Sequence, residues 1–169
     1  MTTARQHAVG VVGGDRASEA ETKFAFEAGR QIARFGAVLV CGGGGGVMEA
    51  ACSGAKTASG TTLGIMPGTG PESSEPNPHL DFVIYTGMGQ ARNQIIVLSS
   101  NAVIAIGGEW GTLSEIGLAM KYHVPLVLLG SWSVEGPDGE GLGDLPRAAT
   151  AKEAVAKAFR FIEGSLPTP

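Results

Sequence analysis

Six short runs of apolar residues, rich in β-branched side chains, recur along the chain without interruption by polar residues. A strand with one face in water alternates apolar and polar residues, so an uninterrupted run indicates a strand that is covered on both faces. Such strands are typical of a parallel sheet that lies between two layers of helices. The runs are residues 8–12, 37–41, 61–66, 82–85, 102–106 and 125–129.

Segments with the periodicity of an amphipathic helix lie between most of these runs. The clearest covers residues 19–35, where apolar residues recur every three or four positions. Ser18 and Glu21 predict a capping box at its start, and Gly36 predicts its end. Further helices are predicted at about residues 47–58, 92–100, 113–121 and 151–163.

This alternation predicts a doubly wound α/β fold, with a mainly parallel sheet of about six or seven strands and helices on both faces. Residues 1–169 are expected to form a single domain, since domains commonly contain roughly 100–200 residues. Residues 68–81 are predicted to form a loop over the ligand-binding edge of the sheet. Residues 131–149, rich in glycine and acidic residues, are predicted to form a mobile excursion without regular structure.

Charge and residue spacing exclude several classes of partner. The chain has 12 Lys and Arg against 16 Asp and Glu, a net charge of −4, and no basic run, so we expect no nucleic acid or membrane partner. Cys41 and Cys52 lack zinc-type spacing, and His7, His79 and His123 are scattered, so no metal site is predicted. No apolar run approaches the ~20 residues that span a bilayer. We expect a soluble, cytoplasmic protein with buried, reduced thiols.

Glycine accounts for 27 of the 169 residues, well above its average share of ~7%. Clusters of glycine follow each of the first five apolar runs, at the carboxyl ends of the predicted strands. Ligands bind at this edge of an open α/β sheet, and glycine lets backbone N–H groups approach a phosphate. Tight turns alone would explain one or two clusters, whereas five favour a phosphate-bearing ligand. The candidate residues are Gly13, Gly14, Gly43, Gly44, Gly45, Gly46, Gly107, Gly108 and Gly111.

The common phosphate-binding and hydrolytic motifs are incomplete or missing. The glycines at 42–46 do not complete GxGxxG, because Val47 or Met48 occupies the last position, and they follow the second strand rather than the first. The sequence contains no GxxxxGK[ST], GxSxG or HExxH. An ordinary NAD site, P-loop chemistry and the corresponding hydrolase classes are therefore disfavoured.

Two ionisable residues, Arg92 and Glu115, are placed in the first turns of the helices that follow the fourth and fifth strands. If those strands are neighbours, both side chains line one cleft. Arg is well suited to a bidentate grip on phosphate. A carboxylate nearby could bind ribose hydroxyls or stabilise an oxocarbenium-like transition state. The alternatives are that Thr112 and Glu115 form a capping box and that Arg92 is a solvated helix-start residue.

Three segments resemble one known family: GGGGGVMEA at 42–50, RN at 92–93 and GGEWGTLSE at 107–115. They are similar to the Lonely Guy (LOG-like, SLOG) superfamily, formerly labelled lysine decarboxylase-like. The resemblance implies a Rossmann-like fold, usually a homodimer, and adds Met48, Asn93 and Thr112 to the candidate ligand-binding residues. Cytokinin-activating enzymes of the superfamily hydrolyse the N-glycosidic bond of a nucleoside 5′-monophosphate with an Arg and a Glu that match Arg92 and Glu115.

The sequence departs from the pattern of these enzymes, PGGxGTxxE. Ile106 replaces the proline, and Glu109 and Trp110 occupy a gap of one residue. Asn93 replaces a lysine, and Ser114 replaces an acidic residue. These features resemble the branch that includes molybdenum-cofactor carrier proteins, which bind a phosphorylated pterin without turning it over.

We therefore expect a protein that binds a phosphate-bearing nucleotide- or pterin-like molecule at the carboxyl edge of the sheet, as a molybdenum-cofactor carrier does. It requires no cofactor, and its ligand could be the molybdenum cofactor or a nucleotide. The alternative is a nucleoside 5′-monophosphate phosphoribohydrolase in which Arg92 holds the phosphate and Glu115 supports cleavage, with Arg92 and Glu115 catalytic. Lysine decarboxylation is not expected, because no lysine is placed on the ligand edge to form a Schiff base.

The resemblance also predicts a homodimer. The helices predicted at 92–100 and 113–121 carry more apolar residues than one covered sheet face requires, and family dimers pair through such helices. Ordinary core packing is the alternative explanation. The apolar residues concerned are Ile95, Ile96, Leu98, Ile116 and Met120.

Overall fold

The computed structural model describes residues 6–133, 135 and 145–164. Within these residues, seven strands form one sheet in the order β4-β3-β2-β1-β5-β6-β7, and every neighbouring pair is parallel. The α/β Rossmann-like fold predicted from the apolar runs is therefore confirmed. The strands are β1 (Ala8–Val12), β2 (Val38–Cys41), β3 (Thr62–Met66), β4 (Phe82–Tyr85), β5 (Ala102–Ile106), β6 (Leu126–Leu129) and β7 (Arg147–Ala148).

Helices cover both faces of the sheet. Three of them, α1, α2 and α5, share one apolar core with one sheet face, and α3 and α4 share a second core with the other. A short 3₁₀ helix, Gly89–Arg92, leads directly into α3. The helices are α1 (Glu19–Arg34), α2 (Gly46–Lys56), α3 (Asn93–Leu98), α4 (Trp110–Lys121) and α5 (Ala151–Ile162).

The start and end of α1 follow the local sequence. The Ser18 hydroxyl accepts a hydrogen bond from the Glu21 N–H, and the Glu21 carboxylate accepts one from the Ser18 N–H, so the predicted capping box is present. Gly36, directly after the helix, has φ +73°, a conformation that glycine adopts without strain. The predicted buried thiols are also found, with Cys41 Sγ 3.6 Å from Cys52 Sγ.

The strand order creates a crevice beside β1. The chain runs outward from β1 through β2 and β3 to β4, and then returns to the opposite side of β1 to form β5. The carboxyl ends of β1 and β5 therefore lie where the strand order reverses, which is the usual ligand position in open α/β sheets.

Two expectations from the sequence are wrong. Residues 131–149 were expected to carry no regular element, yet Arg147–Ala148 forms β7, paired with the Leu128–Leu129 segment of β6. A two-residue strand is too short to show a periodicity in the sequence, and only its pairing with β6 defines it. Residues 134 and 136–144 of that stretch lie outside the described residues, so its predicted mobility stays a prediction. Helix α4 begins at Trp110, three residues earlier than predicted.

None of the helices in the described ranges has the length and hydropathy needed to cross a bilayer.

Helices α1 and α2 cross with their backbones in close contact. A Cβ atom added to Gly29 of α1 would overlap the carbonyl oxygen of Ala51, and one added to Gly54 of α2 would overlap that of Phe26. Rigid backbone atoms form both contacts, so the two glycines set the distance between the helices. This crossing supports the amino terminus of α2 at the ligand edge.

We expect Gly29→Ala to lower the free energy of unfolding by about 1–3 kcal/mol, because the new methyl group must push the α2 backbone away. Gly117→Ala in α4 is the matched control, because its Cβ would meet no described atom within 4 Å. That change should instead stabilise the protein by roughly 0.5–1 kcal/mol through helix propensity. Urea unfolding of both variants measures the difference, and equal effects would contradict the packing argument.

Candidate functional site

A cleft of about 440 Å³ lies at the reversal point, within the size range of small-molecule sites. Its walls come from the loop after β1, the start of α2, the 3₁₀ helix with the start of α3, and the first turns of α4. Eight of the residues predicted from the sequence line it: Gly13, Gly14, Met48, Arg92, Asn93, Gly111, Thr112 and Glu115.

The other predicted glycines do not line this cleft, and most of them meet a packing requirement nearby. Gly46 lies so close to the carbonyl oxygen of Gly14 that any Cβ would overlap it. A Cβ on Gly107 would overlap the Glu21 carboxylate, and a Cβ on Gly108 would overlap the indole ring of Trp132. Gly43, Gly44 and Gly45 form the turn into α2. Tight-turn packing thus explains more of the glycine clusters than expected, and a ligand contact for these six glycines stays a prediction.

Arg92 and Glu115 lie close together, although the condition stated for this, that the fourth and fifth strands are neighbours, is not met. Strands β4 and β5 are not neighbours, because β3, β2 and β1 stand between them. The returning chain, however, places the 3₁₀ helix and α3 beside α4. As a result, Arg92 Nη1 lies 4.0 Å from Glu115 Oε1. Sheet order cannot be derived from the apolar runs alone, so this route was not predictable.

Arg92 is buried, with 8% of its surface exposed, and is not the solvated helix-start residue considered as an alternative. Its Nη1 donates a hydrogen bond to Asn93 Oδ1, whereas its Nε finds no partner among the described residues. A Cβ on Gly42 would lie 2.9 Å from Arg92 Nη2, so this glycine leaves room for the guanidinium. Burial lowers the pKa of Arg92, and the carboxylates of Glu115 and Asp15 oppose that shift.

Asn93 fixes the orientation of the guanidinium. Its Oδ1 accepts from Arg92, and its Nδ2 donates to Ser114 Oγ at 2.9 Å. The Ser114 hydroxyl in turn donates to the carbonyl oxygen of Gly111 at 2.6 Å. This chain of hydrogen bonds links the start of α3 to the first turn of α4, so the two halves of the cleft are held together.

The capping box considered as an alternative role for Thr112 and Glu115 is not formed. Glu109 is the N-cap of α4, so Thr112 is the third residue of the helix and Glu115 the sixth. Both side chains are buried, and Thr112 Oγ1 has no hydrogen-bond partner within the part of the chain that the structure describes. Polar atoms that are buried without a partner are uncommon, and a ligand or an ordered water commonly supplies the missing hydrogen bond.

Burial raises the pKa of Glu115 to about 8, and the nearby Arg92 guanidinium opposes this shift. At 4.0 Å the charge pair is at the outer limit of an ion pair, so desolvation of the carboxylate outweighs the attraction. The carboxyl is therefore mostly protonated at neutral pH. A neutral carboxyl can donate one hydrogen bond and accept another, which leaves Arg92 as the main positive charge in the cleft.

Five lining residues were not among the predicted site residues: Asp15, Gln90, Glu109, Trp110 and Ser114. All of them lie in the same loops and first turns as the predicted residues, one or two positions from a predicted site residue. Extending each glycine motif by two residues would have found most of them. Trp110 also departs from the sequence pattern of the related enzymes, which is a second signal.

Comparisons with known proteins agree with this fold. The model of the SLOG cluster4 family matches residues 6–157. An uncharacterized protein of Archaeoglobus fulgidus is 44% identical over 113 residues, which are 67% of this chain and 73% of that protein.

Solved structures similar to this fold include two described by their binding of the molybdenum cofactor. The molybdenum cofactor binding protein of Rippkaea orientalis superposes with a TM-score of 0.79 and 33% identity, covering 98% of this chain and 100% of that one. The molybdenum cofactor carrier protein of Chlamydomonas reinhardtii gives a TM-score of 0.79 and 36% identity, covering 96% of this chain and 100% of that one.

Stability should fall with rising pH because of Glu115. The folded chain keeps this proton up to about pH 8, whereas the unfolded chain loses it near the ordinary value of 4.5. Ionisation therefore stabilises the unfolded chain across this window, by at most about 1.4 kcal/mol per pH unit. Glu115→Gln, which mimics the protonated side chain, should remove this slope.

Urea unfolding of wild type and Glu115→Gln at pH 5, 6.5, 8 and 9 measures the effect. The two proteins should be similar at pH 5, diverge up to about pH 8 with wild type less stable, and stay at a constant difference above it. Parallel stability profiles across the whole range would show that the carboxyl titrates normally.

Proposed function

Because this chain belongs to the SLOG cluster4 family, we propose that it binds a phosphate-bearing, pterin- or nucleotide-like small molecule in the cleft beside β1, as a carrier or binding protein. The observation that carries the proposal is the buried Arg92 guanidinium, which lines the cleft with an unpartnered Nε within the described chain. A buried charge without a full partner is costly, and an anionic ligand would supply that partner.

The residues around Arg92 favour phosphate as the anion. The amino-terminal end of α4 opens onto the cleft at Gly111 and Thr112, and none of the described side chains caps its free N–H groups. A helix amino terminus attracts anions through these groups and through its dipole. Thr112 Oγ1 adds an unused hydroxyl. Arg92 and the start of α4 can therefore bind one phosphate from two sides.

The molybdenum cofactor is the ligand that the similar proteins suggest. The Rippkaea orientalis and Chlamydomonas reinhardtii proteins are described as binding or carrying it, and both cover almost the whole chain. In this proposal the cofactor is cargo that is held and released, and the fold does not depend on it. The Arg92 guanidinium and the uncapped amino terminus of α4, which both line the cleft, fit the phosphate of such a ligand.

The protonation of Glu115 favours binding over N-glycosidic hydrolysis. A carboxylate stabilises an oxocarbenium-like transition state through its negative charge. Because burial raises the pKa of Glu115 to about 8, most of that charge is missing at neutral pH. The phosphoribohydrolase remains the alternative function, and release of free adenine from AMP at pH 7 would favour it.

Native mass spectrometry of freshly purified protein tests the binding role. Wild type should carry a co-purified mass that corresponds to a phosphorylated pterin or a nucleotide. Arg92→Ala should lose it, because a charge-assisted hydrogen bond contributes about 1.5–3 kcal/mol, roughly 10- to 100-fold in affinity. Arg92→Lys should be intermediate, since it keeps the charge but not the planar fork.

Arg16→Ala is the matched control, because Arg16 is an exposed arginine in the loop after β1 that lies outside the cleft lining. It should retain the bound mass. Melting curves confirm that each variant is folded. Equal retention of the ligand by Arg92→Ala and Arg16→Ala would show that Arg92 does not hold the phosphate.

We also propose a homodimer, but through a surface that differs in part from the predicted one. Ile96 and Ile116 are fully buried in the core, so for these residues the packing alternative holds. Leu98 and Met120 are exposed, as is Phe82 of β4 at 62%. Leu98 lines a groove with Leu63, and Leu63 is the register partner of Phe82 in β3–β4. An exposed apolar face of this kind is typical of an association surface.

Light scattering at micromolar concentration should give about twice the chain mass of 17.2 kDa. Leu98→Glu should shift the mass to that of the monomer, because it places a charge in the apolar face. Lys152→Glu, an exposed position on α5 at the opposite face of the sheet, should leave the dimer intact. A monomeric wild type would reject this proposal.

A further inference from the structure

The two tryptophans of the chain lie together, and Trp110 lines the cleft. The ring centroids of Trp110 and Trp132 are 5.4 Å apart, with an angle of 38° between the ring planes. Trp110 is 78% exposed although it lines the cleft, whereas Trp132 is half-buried behind it. Tryptophan is highly buried on average in folded proteins, so a ring left this open at a binding cleft calls for an explanation.

The structure holds Trp132 firmly in place. Arg147 Nη2 donates to the carbonyl oxygen of Trp132 at 2.7 Å, which ties the residue to β7. The Ser131 hydroxyl donates to the carbonyl oxygen of Gly107 at 2.5 Å, which fixes the adjoining backbone against the loop after β5. Gly108, at φ +148°, leaves room for the indole ring, because any Cβ there would overlap Trp132 Nε1.

Trp110 is positioned from the other side. It is the first residue of α4, directly after the N-cap Glu109, and its backbone belongs to the same helix that carries Thr112 and Glu115 into the cleft. One side of the Trp110 ring rests on Trp132. Much of the remaining ring surface is open to solvent, next to the polar groups around Arg92.

We propose that Trp110, supported by Trp132, is a stacking platform for the planar heterocycle of the ligand, so that it selects ring-bearing phosphates over simple sugar phosphates. This inference rests on the proposed function, in which Arg92 and the start of α4 bind the phosphate. The two ends of the cleft then have separate tasks. Arg92 supplies charge, and the indole supplies a flat apolar surface that discriminates among ligands of equal charge.

The chemistry of the two ends supports this division. Stacking of a heterocycle on an aromatic side chain contributes roughly 5- to 100-fold in affinity and depends little on the details of the ring. The guanidinium and the α4 backbone amides donate hydrogen bonds only to the phosphate. Removal of the indole should therefore weaken the binding of a phosphate that carries a heterocycle and leave the binding of a phosphate without one unchanged.

Titration calorimetry with two probes tests this separation. The probes are GMP, whose 2-amino-4-oxopyrimidine ring is shared by pterins, and ribose 5-phosphate, which has the same sugar phosphate without the heterocyclic base. We expect wild type to bind GMP at least 5-fold more tightly than ribose 5-phosphate. Trp110→Ala should bind both probes equally, with an unchanged affinity for ribose 5-phosphate, and Trp110→Phe should keep most of the preference for GMP.

Intrinsic fluorescence gives an independent readout, because all tryptophan emission comes from these two residues. GMP should quench the emission of wild type and of Trp132→Phe, in which Trp110 is the sole tryptophan. It should quench Trp110→Phe much less, and ribose 5-phosphate should have little effect on any of the three proteins.

The outcomes separate the platform from the proposed function. If both probes bind but Trp110→Ala keeps its preference for GMP, the platform is rejected while phosphate binding stands. If Trp110→Ala weakens both probes equally, or converts a dimer to a monomer without changing the preference, Trp110 serves the fold or an interface and the platform is likewise rejected. If neither probe binds to wild type at millimolar concentration, the proposed function fails and the platform fails with it.

Discussion

The buried guanidinium of Arg92 is the interaction on which the account of this site depends. A charge in this position loses most of its hydration, and the protein compensates only in part. Asn93 accepts one hydrogen bond, and Glu115 stands at 4.0 Å but is kept mostly neutral by its own burial. The guanidinium is therefore only partly paired, and its Nε has no hydrogen-bond partner within the described residues. A partly paired, buried guanidinium lowers the stability of the free protein and favours the binding of an anion.

The topology of the sheet explains how these groups come together. The chain must reverse its direction across the sheet after β4, and the connection returns over the carboxyl ends of the central strands. It places Arg92 and Asn93 beside the first turns of α4, where Ser114 and Gly111 complete the hydrogen bonds. The same change of direction across the sheet after β4 therefore forms the cleft.

The sequence predicted the strands and helices well, because uninterrupted apolar runs and capping residues report local structure. The six predicted runs all became strands, and Ser18 and Glu21 cap α1 as expected. The neighbours of each strand were not predictable, because strand order depends on long-range packing, and the assumed contact between β4 and β5 was wrong. The two-residue β7 was missed because it exists only through its pairing with β6.

The candidate site was predicted in part, for the same physical reason. Glycine clusters pointed to the edge of the sheet at which the cleft lies, but a glycine needed for close backbone packing and one needed for a ligand look alike in a sequence. Gly111 lines the cleft with no described atom near its missing side chain, whereas Gly46 and Gly107 lie where packing excludes one. Gly13 combines the two, because it lines the cleft and a Cβ there would overlap Val47. The capping pattern of Thr112 and Glu115 was equally ambiguous, and only the start of α4 at Trp110 decided it.

A crystal structure of the protein soaked with GMP would show directly whether Arg92 and the start of α4 bind phosphate. We expect phosphate density within hydrogen-bond distance of the Arg92 guanidinium and of the first N–H groups of α4. Density for the nucleotide at any other place, or a cleft that contains only water while the soaked crystal is saturated with ligand, would contradict it.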